Sequence, residues 1–564
     1  MNHSNHAAPP AAAPANAVPP RLSGERRNSA AKWSLSTIAE ADRAAILGKK
    51  KWPQHVAALA ATLTSLVGGA VLGWTSPVLD ELHLMGPSGS WVASLAPLGA
   101  LGGAALSGWL ARWAGRKPLI LALVIPNVAG WSVLVAASGN VSPSLCHSPG
   151  CASRAGFEVL VAPQIDMLYA GRLLTGLCAG AATVLVPMYS AEISEPAIRG
   201  TIGVYLDLSL TVGILMAYVV GGLAGQVYLS GLCGALSLVA AITFFFMPES
   251  PQFLVVKGRR AEAEDALRWL RTGSSAPTPK VAKYSSAATP PFAGSHRVDV
   301  SAELDAMTRL AVESEERERA SGGILGAVRG LCGEGSVSPT SRAVVLVVML
   351  MALQQLSGID AIIFFLQSIF KKSDSSLEPM HSTIVVGSVQ VAATLVAALL
   401  VERAGRRLLL GVSGSLMAAS LAALLVYFLF HKELDVDLNA FSWLPVSCLS
   451  AFVFVYCIGF GPLPFLMMAE FLPLEARSWG CGLAACVNWS LMFVVVRVFN
   501  LLMNNIGEAA TFGIFCAICI LGTLFVLTLV PETQGKTPAE IRQYLQDREI
   551  HTVTRRVSTP GGVV

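Results

Sequence analysis

The sequence predicts an all-α membrane protein: twelve transmembrane helices in two six-helix bundles, with a cytosolic helical insert between them. Three observations carry this. Of 564 residues, 53% are hydrophobic and only 13% charged, against about 25% charged in an ordinary soluble domain. Twelve apolar stretches reach the length of about 20 residues that a helix needs to cross a bilayer. Three short motifs of the first half also return, in the same order, in the second. Gly115-Arg116-Lys117 returns as Gly405-Arg406-Arg407, Ala191-Glu192 with Arg199 as Ala469-Glu470 with Arg477, and Pro248-Glu249-Ser250 as Pro531-Glu532-Thr533. Such a chain is one membrane unit duplicated, and parallel six-helix repeats facing each other enclose a central site.

Residues 1–53 have no apolar core and are rich in Ala, Pro and Ser, so they read as a disordered cytosolic tail and not as a secretory leader. The N-terminal bundle, 54–247, holds apolar helices at 54–79, 91–111, 117–138, 165–190, 200–224 and 227–247. The insert, 248–341, begins where the chain turns polar. Within it, 257–271 carries Ala266, Leu267 and Leu270 on one helical face, which predicts a cytosolic amphipathic helix. Residues 272–300, rich in Ser, Thr, Ala and Pro, read as linker, and 301–332 as helix again, with a solvated charge run at 313–319. The C-terminal bundle, 342–530, holds helices at 342–370, 381–402, 406–430, 442–470, 476–503 and 509–530, and 531–564 form a cytosolic tail.

Charge fixes the orientation. Lys and Arg gather at Arg112, Arg116, Lys117, Arg199, 257–271, Arg403, Arg406, Arg407, Arg477 and 536–556, and the alternate loops carry fewer. The positive-inside rule then places both termini and every motif loop in the cytosol. Most of the eleven cysteines lie in apolar segments as small hydrophobes. Cys146 and Cys151 share a loop predicted to be outside, where they stand either as a disulfide or as two thiols. Asn140-Val141-Ser142 is a glycosylation sequon on that side, very close to the third helix.

The charged residues at helix ends have two readings. Glu192, Arg199, Glu470 and Arg477, with Arg116 and Arg406, can form ion pairs across the cytosolic face that latch the halves and separate as the pathway opens inward. The alternative is plain topological anchoring. A surface pair is worth only about 0–1 kcal/mol, a size suited to a gate that must open and close within a few kcal/mol.

An ordered motif set resembles the sugar porter family of the major facilitator superfamily over about residues 54–545. It comprises Gly171-Arg172-Leu173-Leu174-Thr175-Gly176, Val186-Pro187-Met188-Tyr189, Pro248-Glu249-Ser250-Pro251 and Gln354-Gln355-Leu356-Ser357-Gly358. It continues with Val401-Glu402-Arg403-Ala404-Gly405-Arg406-Arg407, Gly461-Pro462-Leu463-Pro464 and Pro531-Glu532-Thr533-Gln534-Gly535-Lys536. Gly73-Trp74-Thr75-Ser76-Pro77 and Glu192-Ile193-Ser194-Glu195-Pro196 are most similar to arthropod facilitative trehalose transporters and the related class III hexose facilitators.

The resemblance implies a sugar site built from amides and aromatic faces, polar side chains being costly in a membrane unless they face the bundle interior. Gln354 and Gln355 are implied as principal ligands, with Gln390, Asn488 and Trp489 beside them. Glu402 joins Arg116, Glu192, Arg199, Arg406, Glu470 and Arg477 in the gating set. The Gly459–Pro464 run breaks the tenth helix as a hinge, followed by Phe465, and Phe364 and Phe365 stand either as an outer lid or as packing.

Departures from the family pattern matter as much. Asp207 stands where Gln is usual, Asp360 where Asn is usual, Phe465 for Trp, Met492 for Asn and Arg112 for an acid or amide; Met351-Ala352-Leu353 replaces the tripeptide of ordinary glucose carriers. The two aspartates are sugar ligands, a proton-coupling pair, or partners sharing one proton. Thr75 holds the place of the first-helix acid that proton-coupled members use. The reading carried forward is facilitated diffusion of trehalose or a hexose by alternating access. The alternatives are proton symport through Asp207 and Asp360 and a non-transporting sugar sensor. The expected partners are a sugar and the lipid bilayer of the cell membrane, with no nucleic acid, no cofactor and a monomeric functional unit. No metal cluster, nucleophile triad or phosphate loop suggests an enzyme, and His55, His83 and His381 lack ligand spacing.

Overall fold

Inside a bilayer a chain must satisfy its own backbone polar groups, so an apolar run of span length folds as helix. The computed structural model describes residues 50–84, 86–138, 154–195, 197–273, 300–320, 339–373, 377–401, 403–433, 439–472, 474–536, 540–541 and 543–544. Among them lie twelve helices long and apolar enough to cross a membrane, and no strand.

The first span is α1 (Trp52–Gly73) continued by α2 (Thr75–Glu81). The next five are α3 (Pro87–Ala114), α4 (Lys117–Ala122) with α5 (Val124–Ser138), α6 (Arg154–Ile193), α7 (Arg199–Ala224) and α8 (Gln226–Phe245). The insert contributes α9 (Pro251–Val256), α10 (Arg260–Thr272) and α11 (Ser301–Ala320). In the second half the seventh span is α12 (Pro339–Leu356) with α13 (Ile359–Lys372), followed by α14 (Pro379–Leu400) and α15 (Arg406–Phe428). The tenth span is α16 (Leu444–Ile458) with α17 (Leu463–Phe471), and α18 (Leu474–Asn505) and α19 (Glu508–Leu529) complete the bundle.

Small residues decide the closest crossings. Gly99 and Gly103 of α3 face Gly176 and Gly180 of α6, and a Cβ on any of the four would fall 1.9–2.2 Å from a carbonyl oxygen of the opposing helix. Lipid offers no hydrophobic drive for helices to associate, so van der Waals contact of this kind holds them together. Gly180→Val is therefore expected to abolish monodisperse protein in size-exclusion chromatography of the solubilised chain, because the obstacle is backbone and cannot yield. A normal elution profile for that variant would show that the α3–α6 crossing is looser than this.

The halves meet where α18 packs on α3, α14 on α7 and α13 on α2. One hydrophobic core runs through both. The expected amphipathic helix is α10, shortened at its start because Lys257-Gly258-Arg259 forms a turn with Gly258 at φ +73°. Its predicted face holds: Ala266, Leu267 and Leu270 are buried, the first two against Phe253, Leu254 and Leu304. Arg271 ends it, 1% exposed, paired with Glu303 of α11 at 2.6 Å and Glu195 at 3.1 Å. The insert is thereby anchored beneath α6, and α11 also packs on α18. Asn140, Cys146, Cys151 and Glu402 lie outside the described residues, as does the side chain of Arg477.

Candidate functional site between the halves

In the second half the seventh and tenth spans break, and they break beside each other. The seventh stops after Leu356 and restarts at Ile359, with Gly358 at φ +87°, a conformation that favours glycine. The tenth stops at Ile458 and restarts at Leu463, because Pro462 and Pro464 lack amide donors. A broken span leaves carbonyls without helical partners, and hydrocarbon supplies none. Gln354, the third-last residue of α12, answers this directly: its Nε2 donates to Phe460 O at 2.8 Å and Gly461 O at 2.9 Å. Its Oε1 accepts from Asn488 Nδ2 of α18 at 3.0 Å. Ser413 supports the same break, donating to Val455 O at 2.7 Å and accepting from Phe460 N at 3.3 Å.

Gln355 turns to the other side. Its side chain lies within interaction range of Asp360 across the gap in the seventh span. Gln355 Oε1 and Asp360 Oδ2 are buried and have no hydrogen-bond partner. Tyr456 of α16 lies within electrostatic range of both Asp360 and Asp207, and Asp207 reaches it from α7, in the opposite half. The predicted residues Gln354, Gln355, Asp360 and Asn488 are thus brought together, and Asp207 of the opposite half comes within electrostatic range of the same Tyr456. Gln390 and Trp489 are buried, at 4% and 7% exposure, whereas Phe465 is 45% exposed. Phe364 and Phe365 are buried, and Phe365 stacks on Phe499 of α18 with centroids 5.3 Å apart.

At the motif loops the first and third repeated motifs turn out to be partners. Glu249 accepts from the backbone N–H groups of Arg116 and Lys117 at 3.2 Å, and Glu532 from those of Arg406 and Arg407 at 2.9 and 3.1 Å. Arg116 pairs with Glu192 at 2.7 Å, and Ser250 Oγ also donates to Glu192. Arg406 stands 3.7 Å from Glu470. These pairs brace each half internally; neither joins one half to the other. Arg199 is exposed and forms no ion pair among the described residues.

Polar links between the halves sit at the opposite end of the bundle. Asp80 of α2 receives hydrogen bonds from Gln367 Nε2 at 2.9 Å and from Lys371 Nζ, and Ser76 Oγ accepts from Gln367 N at 3.0 Å. Asn500 donates to Ser90 at 3.0 Å, and the Arg497 guanidinium lies 4.6 Å from the Trp91 ring. These links close that end. None of Asp80, Gln367 or Lys371 was legible as a gate in the sequence; the only signal is an acid and a base at the ends of adjoining apolar runs. Lys371 is half-exposed, so Lys371→Ala is expected to weaken closure only about threefold. Labelling of a cysteine placed at Ser76 by a membrane-impermeant thiol reagent reads that shift, and an unchanged labelling rate would assign the pair no part in closure.

A sequence-family model described as "Sugar (and other) transporter" matches residues 79–545. The facilitated trehalose transporter Tret1 of Drosophila pseudoobscura pseudoobscura is 33% identical over 505 residues, covering 88% of this chain and 52% of its own. That of Anopheles gambiae is 32% identical over 520 residues, covering 91% of this chain and 58% of its own. The chain spans about half the length of the curated relatives it matches. Among solved structures, the proton:xylose symporter XylE bound to 6-bromo-6-deoxy-D-glucose superimposes with TM-score 0.64 at 20% identity, covering 87% of this chain and 99% of its own. The inward-open xylose transporter XylE from E. coli gives 0.61 at 19%, covering 87% and 98%. At such identity the likeness is one of fold.

Proposed function

The chain belongs to the sugar (and other) transporter family, and from that premise we propose that it carries trehalose or a hexose across the cell membrane by facilitated diffusion. The observation that carries the proposal is the juxtaposed pair of helix breaks with Gln354 spanning them. Two hinges in the second half, tied through one amide, let the outer and inner ends of the pathway open in turn around a fixed site. Gln355, Asp360, Gln390, Asn488, Trp489, Asp207 and Phe465 are the proposed substrate contacts, and Gln354, whose amide is taken by Phe460, Gly461 and Asn488, is the brace. Asp80, Gln367 and Lys371 close the outer end. Arg116–Glu192 and Arg406–Glu470 brace the cytosolic ends so that each half moves as a unit, and Arg199, Glu402 and Arg477 are the residues proposed to meet across the gate between them. Both termini face the cytosol, and the two moving bodies are 54–247 and 342–530 with the insert 248–341 between them.

Facilitated diffusion is favoured by the surroundings of Arg172. This fully buried cation is held by neutral acceptors, Val71 O at 2.7 Å, Thr75 Oγ1 at 2.8 Å and Val92 O at 3.3 Å, and among the described residues no carboxylate pairs with it. The test is uptake of labelled trehalose and glucose in transporter-deficient cells, with and without a protonophore. Uptake that equilibrates and ignores the protonophore is expected; failure of both sugars to enter would overturn the proposal.

A further inference from the structure

One surface of the first half serves neither the central site nor the gates. Where the second span ends and the sixth ends, Trp109, Trp113, Phe245 and Phe246 are 61–72% exposed. Rings at span ends sit at the level of the lipid headgroups. Two lysines lie over them. Lys257 Nζ is 5.3 Å from the Trp113 ring centroid, and Lys117 Nζ is 5.5 Å from that of Phe245. Neither lysine has an ion-pair partner among the described residues. The neighbouring acid, Glu249, is taken by the backbone N–H groups of Arg116, Lys117 and Ser250. An ammonium resting on a ring keeps N–H donors for an anion.

The patch belongs to one half only. Aligned on the paired turns at Gly115 and Gly405, Trp109 and Trp113 correspond to Leu399 and Arg403. Aligned on Glu249 and Glu532, Phe245, Phe246 and Lys257 correspond to Thr528, Leu529 and Glu540. Arg407, the counterpart of Lys117, donates instead to Leu527 O. A general anchoring belt would repeat with the duplicated unit; this combination of rings and unpaired cations does not.

We infer that this rim is a headgroup site for an anionic phospholipid, with Lys117 and Lys257 taking its phosphate and the four rings lying against its glycerol and upper acyl chains. Charge and apolar surface select that occupant together. The lysines call for an anion, and the exposed rings offer nothing to a small hydrated one. In the orientation proposed above, the rim faces the cytosolic leaflet, whose anionic lipids attract basic side chains at the membrane surface. The inference goes beyond the transporter reading and takes only its orientation from it.

The test is native mass spectrometry of the full chain in a neutral detergent. The chain is titrated with palmitoyl-oleoyl phosphatidylglycerol and, separately, with the phosphatidylcholine of the same acyl chains. Phosphatidylglycerol is expected to bind about twentyfold more tightly, roughly fivefold for each lysine. Lys257→Gln, at an exposed turn position, is expected to lose about fivefold, and Lys117→Gln combined with it the whole preference. Should the double variant fail to elute as monodisperse protein, Lys257→Gln alone decides. Equal affinity for the two lipids would overturn the inference, as would a preference that survives Lys257→Gln unchanged. Displacement of phosphatidylglycerol by an equal concentration of inorganic phosphate would mark a soluble-anion site and overturn it too. Failure of sugar uptake in the cell assay would leave it standing, since lipid binding is read without transport.

Discussion

Replacing Arg172 by leucine is expected to remove most of the properly folded protein, by about tenfold or more in monodisperse yield, before any question of transport arises. Arg172 is 0% exposed in α6 and its guanidinium ties three helices. It bonds Val71 O and Thr75 Oγ1 of the first span and Val92 O of the second, and lies 4.8 Å from the Trp74 ring, whose Nε1 in turn donates to Ser230 at 3.1 Å. Leucine removes three buried hydrogen bonds from a charged donor, each worth about 1.5–3 kcal/mol, against a total stability of about 5–15 kcal/mol for a typical folded domain. Lysine restores the charge but not the planar fork, so it cannot reach three acceptors at once. Arg172→Lys should therefore fall between leucine and the parent. Thermal unfolding in detergent, followed by size-exclusion chromatography, reads the series. A leucine variant that melts with the parent would show that the guanidinium is not what joins these helices.

What the sequence made legible, and what it did not, divides by range. The twelve spans followed from apolar runs, since a bilayer leaves such a run no fold but helix. The buried face of α10 followed from Ala266, Leu267 and Leu270 in the same local way. The repeated motifs were visible, yet their pairing was not. Glu249 meets Arg116 and Lys117 from more than 130 residues away, and Glu532 repeats the arrangement with Arg406 and Arg407. Nothing in a single chain marks an acid in one motif as the cap of a turn in another. The same holds for the latch. Arg116 and Glu192 were legible as an ion pair, but their bracing of one half, where a bond between halves was expected, depends on packing that periodicity does not encode. Gln354 and Gln355 show the limit most sharply: adjacent and chemically alike, they were read as one pair of sugar ligands, and neighbouring positions on α12, about 100° apart around the helix, send them to different tasks.

That divergence sets the second prediction. Gln354→Ala is expected to lower the maximal transport rate by about tenfold to a hundredfold with little change in KM, and Gln355→Ala to raise KM with a smaller effect on rate. Alanine at 354 takes their donor from the carbonyls of Phe460 and Gly461, about 1–3 kcal/mol for each orphan, and cuts the link from the seventh span to both the tenth and Asn488. The tenth span then bends without carrying the seventh with it, so the conformational step slows while the site itself is spared. Alanine at 355 breaks no bond between helices. It removes the unpartnered Oε1 beside Asp360, a loss felt when substrate binds. A split of rate against KM is a readout that a uniformly structural defect would not produce, since misfolding lowers the number of active molecules for both variants alike. Initial-rate uptake over a range of sugar concentrations, normalised to the amount of folded protein, decides it. Should both variants raise KM equally, Gln354 would be a ligand like its neighbour and the coupling of the two hinges would lie elsewhere.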